Sequence, residues 1–66
     1  MKIYLNGEAA EYRNGLTIEE LLARHGLPPE ATLVEHNGRA LHRRDWPNEK
    51  LQENDRLEIL RVAAGG

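Results

Sequence analysis

One short segment of the chain carries a full set of helix signals, and it limits the folds that the sequence can adopt. Thr17 and Glu20 have the spacing of a capping box, in which the hydroxyl accepts a first-turn N–H and the carboxylate bonds back to the cap. Residues of one helix face then recur at i, i+3, i+4 and i+7. These residues are Ile18, Leu21, Leu22 and His25.

The same segment also carries stop signals. Gly26 stands where a left-handed residue is favoured after a helix, and Leu27 can pack back on Leu22 as in a Schellman motif. Pro28-Pro29 then prevents continuation. The sequence therefore predicts one helix of about eight or nine residues.

Asn-Gly pairs divide the rest of the chain into short strand-like segments. Asn-Gly tolerates positive φ at both residues and is the strongest short hairpin signal. Asn6-Gly7 and Asn37-Gly38 therefore predict hairpins, and Asn14-Gly15 predicts a further turn. Asn54-Asp55 predicts a tight turn with Asn54 in the left-handed conformation. The predicted strands are 2–5, 8–13, 33–36, 39–42 and 56–62.

A single helix and a single sheet have one stable layering, with the helix on one sheet face and water on the other. The sequence thus predicts the α+β class. A hairpin followed by a crossover helix favours a parallel pairing and extends the prediction to a β-grasp (ubiquitin-like) sheet of about four or five strands. We expect an irregular crossover over 43–50 that is anchored by Trp46 and closed by Leu51. We expect residues 1–62 to form this domain and 63–66 to be a flexible Gly-Gly tail.

Composition excludes several classes of function. The 66 residues include no cysteine, which excludes a disulfide framework, a thiolate zinc site and a cysteine nucleophile. Nine basic and 11 acidic residues give a net charge of −2, which argues against a nucleic-acid partner. No signal peptide or membrane span is predicted, so we expect a cytoplasmic protein without a membrane partner.

The remaining polar residues show no catalytic or metal-binding pattern. His25, His36 and His42 lack a two-ligand spacing on one element, so we expect surface or boundary histidines and no bound metal or cofactor. The basic run of Arg39, Arg43 and Arg44 is either a solvated face or a contact for an acidic partner. Trp46 is interpreted as structural. We expect a protein substrate or carrier and not an enzyme.

The last predicted strand has apolar residues of both parities. Leu57 and Ile59 should face the helix, whereas Leu60 and Val62 should face the uncovered side of the sheet. The latter two residues are either ordinary exposed apolar residues or part of a partner-docking patch.

The chain ends in Gly65-Gly66, preceded by Ala64. Small residues without a bulky side chain suit a tail that is threaded into a narrow enzyme channel. A carboxylate on Gly66 is a poor acyl donor until ATP converts it to an acyl-adenylate, which a thiolate, a persulfide or an amine can then attack. The alternative is an inert chain end.

An ordered set of residues along nearly the whole chain resembles the ThiS family, the sulfur carrier proteins of thiamin (thiazole) biosynthesis. The Arg43-x-x-Trp46 element favours this family over the related molybdopterin carriers. His42 and Asn54 depart from the family, which often has proline and glycine there, and neither departure touches the tail. The matching residues are Met1-Lys2-Ile3, Leu5-Asn6-Gly7-Glu8, Thr17-Ile18, Leu21-Leu22, Asn37-Gly38, Arg43, Trp46, Leu51, Asp55, Glu58-Ile59 and Gly65-Gly66.

The resemblance implies a β-grasp fold and a defined sequence of partners. A ThiF-type activating enzyme would adenylate Gly66 with ATP, and sulfur from a cysteine desulfurase would convert it to a thiocarboxylate. The carrier would then deliver this sulfur to a ThiG-type thiazole synthase. Three alternatives stay open: a carrier for tRNA thiolation or molybdopterin synthesis, a modifier conjugated to lysine, and a plain binding domain with an inert tail.

Overall fold

A computed structural model, which describes residues 1–62, places the helix on one face of a five-stranded mixed sheet. The strand order is β2-β1-β5-β3-β4, with the last strand in the centre. This strand is parallel to β1 and antiparallel to β3, which confirms the predicted β-grasp arrangement. The elements are β1 (Lys2–Leu5), β2 (Glu8–Glu11), α1 (Ile18–Arg24), β3 (Thr32–His36), β4 (Arg39–Leu41) and β5 (Arg56–Arg61).

The helix signals at both ends of α1 are confirmed. The Glu20 N–H donates to Thr17 Oγ1 at 3.1 Å, and the Thr17 N–H donates to Glu20 Oε1 at 2.9 Å. At the other end, the Leu27 N–H donates to the Leu22 carbonyl at 3.0 Å, as a Schellman motif requires. The helix has seven residues and is shorter than predicted, because His25 is already the C-cap with ψ of 3°.

The asparagine turns have the predicted conformations. Asn6 and Asn37 have φ of 50° and 51°, and the glycine after each has φ of 85° or 84°. These values belong to the type I′ turn, whose twist matches that of the flanking strands. Asn54 is also left-handed, with φ of 69°.

Three strands end earlier than the sequence predicts. The strand β2 ends at Glu11 and not at residue 13, although the Tyr12 N–H still donates to the Met1 carbonyl at 2.9 Å beyond the strand. The strand β4 ends at Leu41 and not at residue 42, and β5 ends at Arg61 and not at residue 62. Local alternation therefore marks where a strand lies but does not fix its last residue.

The crossover over 43–50 is more regular than expected, since Arg43–Asn48 forms a 3₁₀ helix. Such short helices have no long periodicity by which a sequence reveals them. Trp46 is 2% exposed, which confirms its structural role, and the Leu51 N–H donates to the Leu16 carbonyl at 2.9 Å. A second 3₁₀ turn, Pro29–Ala31, leads into β3.

The hydrophobic core lies between α1 and the inner face of the sheet. Removal of the apolar side chains of the core from water is the main force that holds the helix on the sheet. No helix within residues 1–62 has the length and apolar character needed to cross a membrane. The core residues are Ile3, Tyr12, Leu16, Ile18, Leu21, Leu22, Val34, Trp46, Leu51 and Leu57.

Candidate functional site

The central strand β5 presents different residues to the two faces of the sheet. Leu57 is fully buried against the helix, and Ile59 on the same side is half-buried. Leu60 is 59% exposed and Val62 is 42% exposed. The predicted orientations of these side chains are therefore confirmed, while their use in docking stays a prediction.

Leu33 is a third exposed apolar residue at this place, and sequence reasoning missed it. It lies directly opposite Leu60 in the antiparallel pairing of β3 with β5 and is 57% exposed. Its neighbours Thr32 and Val34 are both buried, so the alternation that identified Leu60 also marks Leu33 as outward. We call Leu33, Leu60 and Val62 the apolar patch.

Two acidic residues border the apolar patch. Glu35 lies directly opposite Glu58, one outward-facing pair along from the pair of leucines. Directly opposed side chains on one sheet face have Cβ atoms about 4.5–5.5 Å apart, and like charges at that distance destabilise the sheet. Within residues 1–62, no basic nitrogen lies within 4.0 Å of either carboxylate. This face therefore combines an apolar surface with unneutralised negative charge.

The turn asparagines hold β5 from both sides. Asn6 follows β1, and its amide bonds to both backbone groups of Ile59. Asn37 follows β3, and its Oδ1 accepts the Arg56 N–H at 2.8 Å. These side chains continue the backbone ladders beyond the ends of the neighbouring strands and fix the position of β5.

Asp55 fixes the start of β5 to the turn between β3 and β4. Its carboxylate accepts from Asn37 Nδ2 at 3.0 Å and from the Gln52 N–H at 2.9 Å, and it lies 2.7 Å from His36 Nε2. Partial burial alone would raise the pKa of Asp55. The hydrogen bonds from Asn37, His36 and Gln52 outweigh burial and hold this pKa below its ordinary value.

The three histidines have the surface or boundary positions that the sequence predicts. His25 Nε2 lies 2.8 Å from the Tyr12 hydroxyl, and His42 is exposed. His36 is mostly buried beside Asp55 and Glu49, a carboxylate pairing that no sequence spacing indicated. No group of three potential metal ligands is found within residues 1–62.

The end of β5 leads from the rigid sheet towards the tail. Beyond Arg61, the Val62 N–H still donates to the Ala31 carbonyl at 2.8 Å, so backbone pairing reaches the last described residue. The apolar patch therefore lies beside the place from which the remaining residues depart. The predicted tail residues Ala64, Gly65 and Gly66 lie outside the described residues.

The basic run is fully displayed on the surface. Arg39, Arg43 and Arg44 are all exposed and form no salt bridge within residues 1–62. Arg43 borders a groove of about 330 Å³ beside Trp46 and Leu27. Arg43 and Arg44 belong to the 3₁₀ helix that packs against α1, and Arg39 lies opposite His36 at the start of β4.

Curated relatives are similar to this chain over its whole length. A thiazole synthase of Magnetococcus marinus is 39% identical over 66 residues, and one of Paramagnetospirillum magneticum is 29% identical. The chain spans about a fifth of the length of these two relatives, since the match covers 20% of each. The similarity therefore concerns one portion of a larger protein.

Two solved structures and a family model indicate one and the same family for this chain. The crystal structure of a thiamine biosynthesis protein (ThiS) from Geobacter metallireducens superimposes with a TM-score of 0.85 at 28% identity, covering both chains completely. The solution structure of a thiamine biosynthesis protein from the same organism gives a TM-score of 0.81, and the match covers 88% of that chain. The model of the ThiS family matches residues 3–66, which include both terminal glycines. The chain therefore belongs to the ThiS family.

Proposed function

We propose that this chain is the sulfur carrier for the thiazole of thiamin and that Gly66 bears the sulfur as a thiocarboxylate. The observation that carries the proposal is the family match over residues 3–66, because it extends through Gly65 and Gly66. The similarity to two thiazole synthases supports the choice of acceptor.

The proposed chemistry takes place on the carboxylate of Gly66 and in three steps. The carboxylate attacks the α-phosphorus of ATP on a ThiF-type activating enzyme, and pyrophosphate leaves. A persulfide supplied by a cysteine desulfurase attacks the carbonyl carbon, and AMP leaves. A thiol then cleaves the resulting S–S bond by exchange, which forms a disulfide and releases the thiocarboxylate. ATP is thus a substrate of the partner, and this chain acts as carrier and not as catalyst.

The length after β5 sets how close the partner must come. Four residues follow Val62, and fully extended they span at most about 13–14 Å. An enzyme that acts on Gly66 must therefore approach the end of β5 closely. The small residues Ala64 and Gly65 suit passage through a narrow channel, since glycine adds no Cβ and alanine adds only a methyl group.

The apolar patch is the surface that we propose for this approach. Leu33, Leu60 and Val62 are the large apolar side chains that remain exposed within residues 1–62. Contiguous exposed apolar residues are typical of protein–protein contact sites. Docking through this face of the sheet would leave α1 and the core undisturbed.

Intact-mass measurement tests the proposed chemistry. The chain is incubated with ATP, the activating enzyme, the desulfurase and cysteine, and the expected product is heavier by the difference between one sulfur and one oxygen atom. A chain that lacks Gly66 is the control and should remain unmodified under the same conditions. If the full chain also keeps its mass, the carrier proposal is wrong.

Transfer to a thiazole synthase tests the acceptor. The thiocarboxylate form should return to the carboxylate when it is incubated with a thiazole synthase and the other substrates of that enzyme. Persistence of the thiocarboxylate, combined with its consumption by a tRNA thiolase or a molybdopterin synthase, would reassign the acceptor. A Gly-Gly remnant on lysine side chains of cellular proteins would instead identify a protein modifier.

A further inference from the structure

The two edges of β5 differ in how far along the strand their backbone groups are hydrogen-bonded to a neighbouring strand. Backbone groups of successive residues in a strand point alternately to the two neighbouring strands. The Asn6 N–H donates to the Leu57 carbonyl at 2.8 Å, so Leu57 faces β1, and residues two apart share that side. The Val62 N–H donates to the Ala31 carbonyl, so the even-numbered positions face β3.

The β1 side of β5 runs out of partners before the strand ends. The pairing of β1 with β5 covers only Tyr4 with Arg56 and Leu5 with Leu57. The side chain of Asn6 then satisfies the N–H and carbonyl of Ile59. Arg61 is the next residue with this orientation, and within residues 1–62 its N–H and carbonyl have no backbone partner. A donor and an acceptor are thus presented together on an open edge.

We infer that this open edge at Arg61 receives an extended backbone segment of the thiazole synthase. This segment would pair with the part of the β5 edge that extends beyond the end of β1. The inference rests on the proposed function and adds to it a mode of partner recognition. Addition of a strand to an exposed sheet edge gives affinity through main-chain hydrogen bonds. The open edge lies one residue before Val62 and therefore immediately before the segment that carries Gly66.

The surroundings of Arg61 favour a protein segment as the occupant. An unpaired edge invites pairing with any chain, and an exposed charged side chain such as that of Arg61 limits such pairing to a matched partner. Leu60 lies next to Arg61 on the uncovered face, so one bound segment can contact the edge and the apolar patch together. The thiazole synthase is chosen because the two curated relatives that contain a portion like this chain are thiazole synthases.

Substitution by proline tests the edge directly. Arg61→Pro removes the N–H, and proline is tolerated in a strand where that N–H does not take part in the ladder. Leu60, which precedes it, is already extended, as the residue before proline must be. Arg61→Ala is the matched control because it removes the guanidinium and keeps the N–H. The melting temperatures of both variants should be similar to each other and close to that of the parent chain.

Binding to the full thiazole synthase of the same organism is then measured by calorimetry. Arg61→Pro should bind about tenfold more weakly than Arg61→Ala, which corresponds to one lost hydrogen bond. Equal affinities of the two variants would overturn the edge inference while leaving the carrier function intact. If the parent chain itself fails to bind the synthase, the edge inference and the choice of thiazole synthase as acceptor are both wrong, whereas thiocarboxylate formation still tests the carrier chemistry separately.

If Arg61→Pro does not fold, hydrogen exchange of the Arg61 amide tests the edge inference instead. In the free parent chain, the Arg61 amide should exchange rapidly, as expected for an N–H without a partner. In the complex, its exchange should slow by at least about tenfold, whereas the already paired Ile59 amide should change less. An Arg61 amide that exchanges equally fast in both states would contradict pairing at this edge.

Discussion

Asn6 bonds to Ile59 through both ends of its side-chain amide. Its Oδ1 accepts the Ile59 N–H at 2.7 Å, and its Nδ2 donates to the Ile59 carbonyl at 3.3 Å. The two residues are 53 positions apart in sequence, so this contact joins the first hairpin turn to the last strand. The side chain takes the place of the next residue of β1 and fixes the part of β5 that leads to the tail.

Removal of this contact should loosen β5 selectively. We expect Asn6→Gly to lower the free energy of unfolding by about 1–2 kcal/mol, because two hydrogen bonds are lost while glycine keeps the left-handed turn. Urea denaturation measures the change, and exchange of the Ile59 amide locates it. Asn14→Gly is the control, since Asn14 also belongs to an Asn-Gly pair but, unlike Asn6, forms no hydrogen bond with β5 within residues 1–62. An unchanged exchange rate at Ile59 in Asn6→Gly would contradict the proposed role of Asn6.

The contribution of Asp55 to stability should depend on pH in one direction. The pKa of Asp55 in the folded chain is lower than its ordinary value of 3.8, so the ionised form favours folding. This stabilisation is complete above the ordinary value and is lost as the pH falls from there through the lower folded pKa. In Asp55→Asn, the free energy of unfolding should vary less with pH over this acidic range.

Urea unfolding at a series of pH values from neutral to strongly acidic checks this expectation. Asp55→Asn should also be less stable than the parent by about 1–3 kcal/mol at neutral pH, because the amide cannot accept all the donors that face it. Convergence of the two chains at low pH is the decisive observation. Parallel curves for the two chains would mean that Asp55 titrates alike in the folded and unfolded states.

The pair of Glu35 and Glu58 offers a stabilising substitution. Glu58→Lys replaces a facing like-charge pair by an opposite-charge pair, and we expect the free energy of unfolding to rise by about 0.2–1 kcal/mol. The gain should shrink as salt is added, since both side chains are exposed. Glu58→Gln separates removal of repulsion from addition of attraction and should be intermediate. Equal stability of all three chains at low salt would show that Glu35 and Glu58 do not interact.

Local signals in the sequence were sufficient to locate the α-helix and the strands of this fold, though not its two 3₁₀ helices. The capping box of Thr17 and Glu20 and the left-handed positions of Asn6 and Asn37 depend on residues a few positions apart, and all of them are confirmed. Local alternation likewise predicted the outward side chain of Leu60. Such features are visible in a single sequence because the interacting groups lie in one segment.

Contacts between distant segments were not predictable in this way. The pairing of Asn6 with Ile59 and of His36 with Asp55 depends on the register of β5 with its two neighbours. The alternation along β3 indicates that the side chain of Leu33 faces outward, but its place opposite Leu60 also follows from that register. The open edge at Arg61 depends on how far β1 extends along β5, which is a property of two strands and not of one.

The proposed docking role of Leu60 makes the sharpest prediction about the site. Leu60 is 59% exposed, so Leu60→Asp should cost at most about 1 kcal/mol of stability through the poor strand preference of aspartate. Leu57 lies on the same strand and is fully buried, so Leu57→Asp should unfold the chain and serves as the core control. Circular dichroism on heating distinguishes the two outcomes.

Binding of the Leu60→Asp variant to the activating enzyme and to the thiazole synthase then tests the apolar patch. A charge placed in the centre of an apolar contact should weaken binding by at least about tenfold. Leu33→Asp should act alike because Leu33 lies directly opposite Leu60, whereas Ala23→Asp on the exposed face of α1 should bind normally. If Leu60→Asp binds both partners as tightly as Ala23→Asp, the patch is ordinary exposed surface and docking must use another face. If Leu60→Asp instead melts like Leu57→Asp, Leu60 stabilises the fold as a core residue does and is not a docking residue.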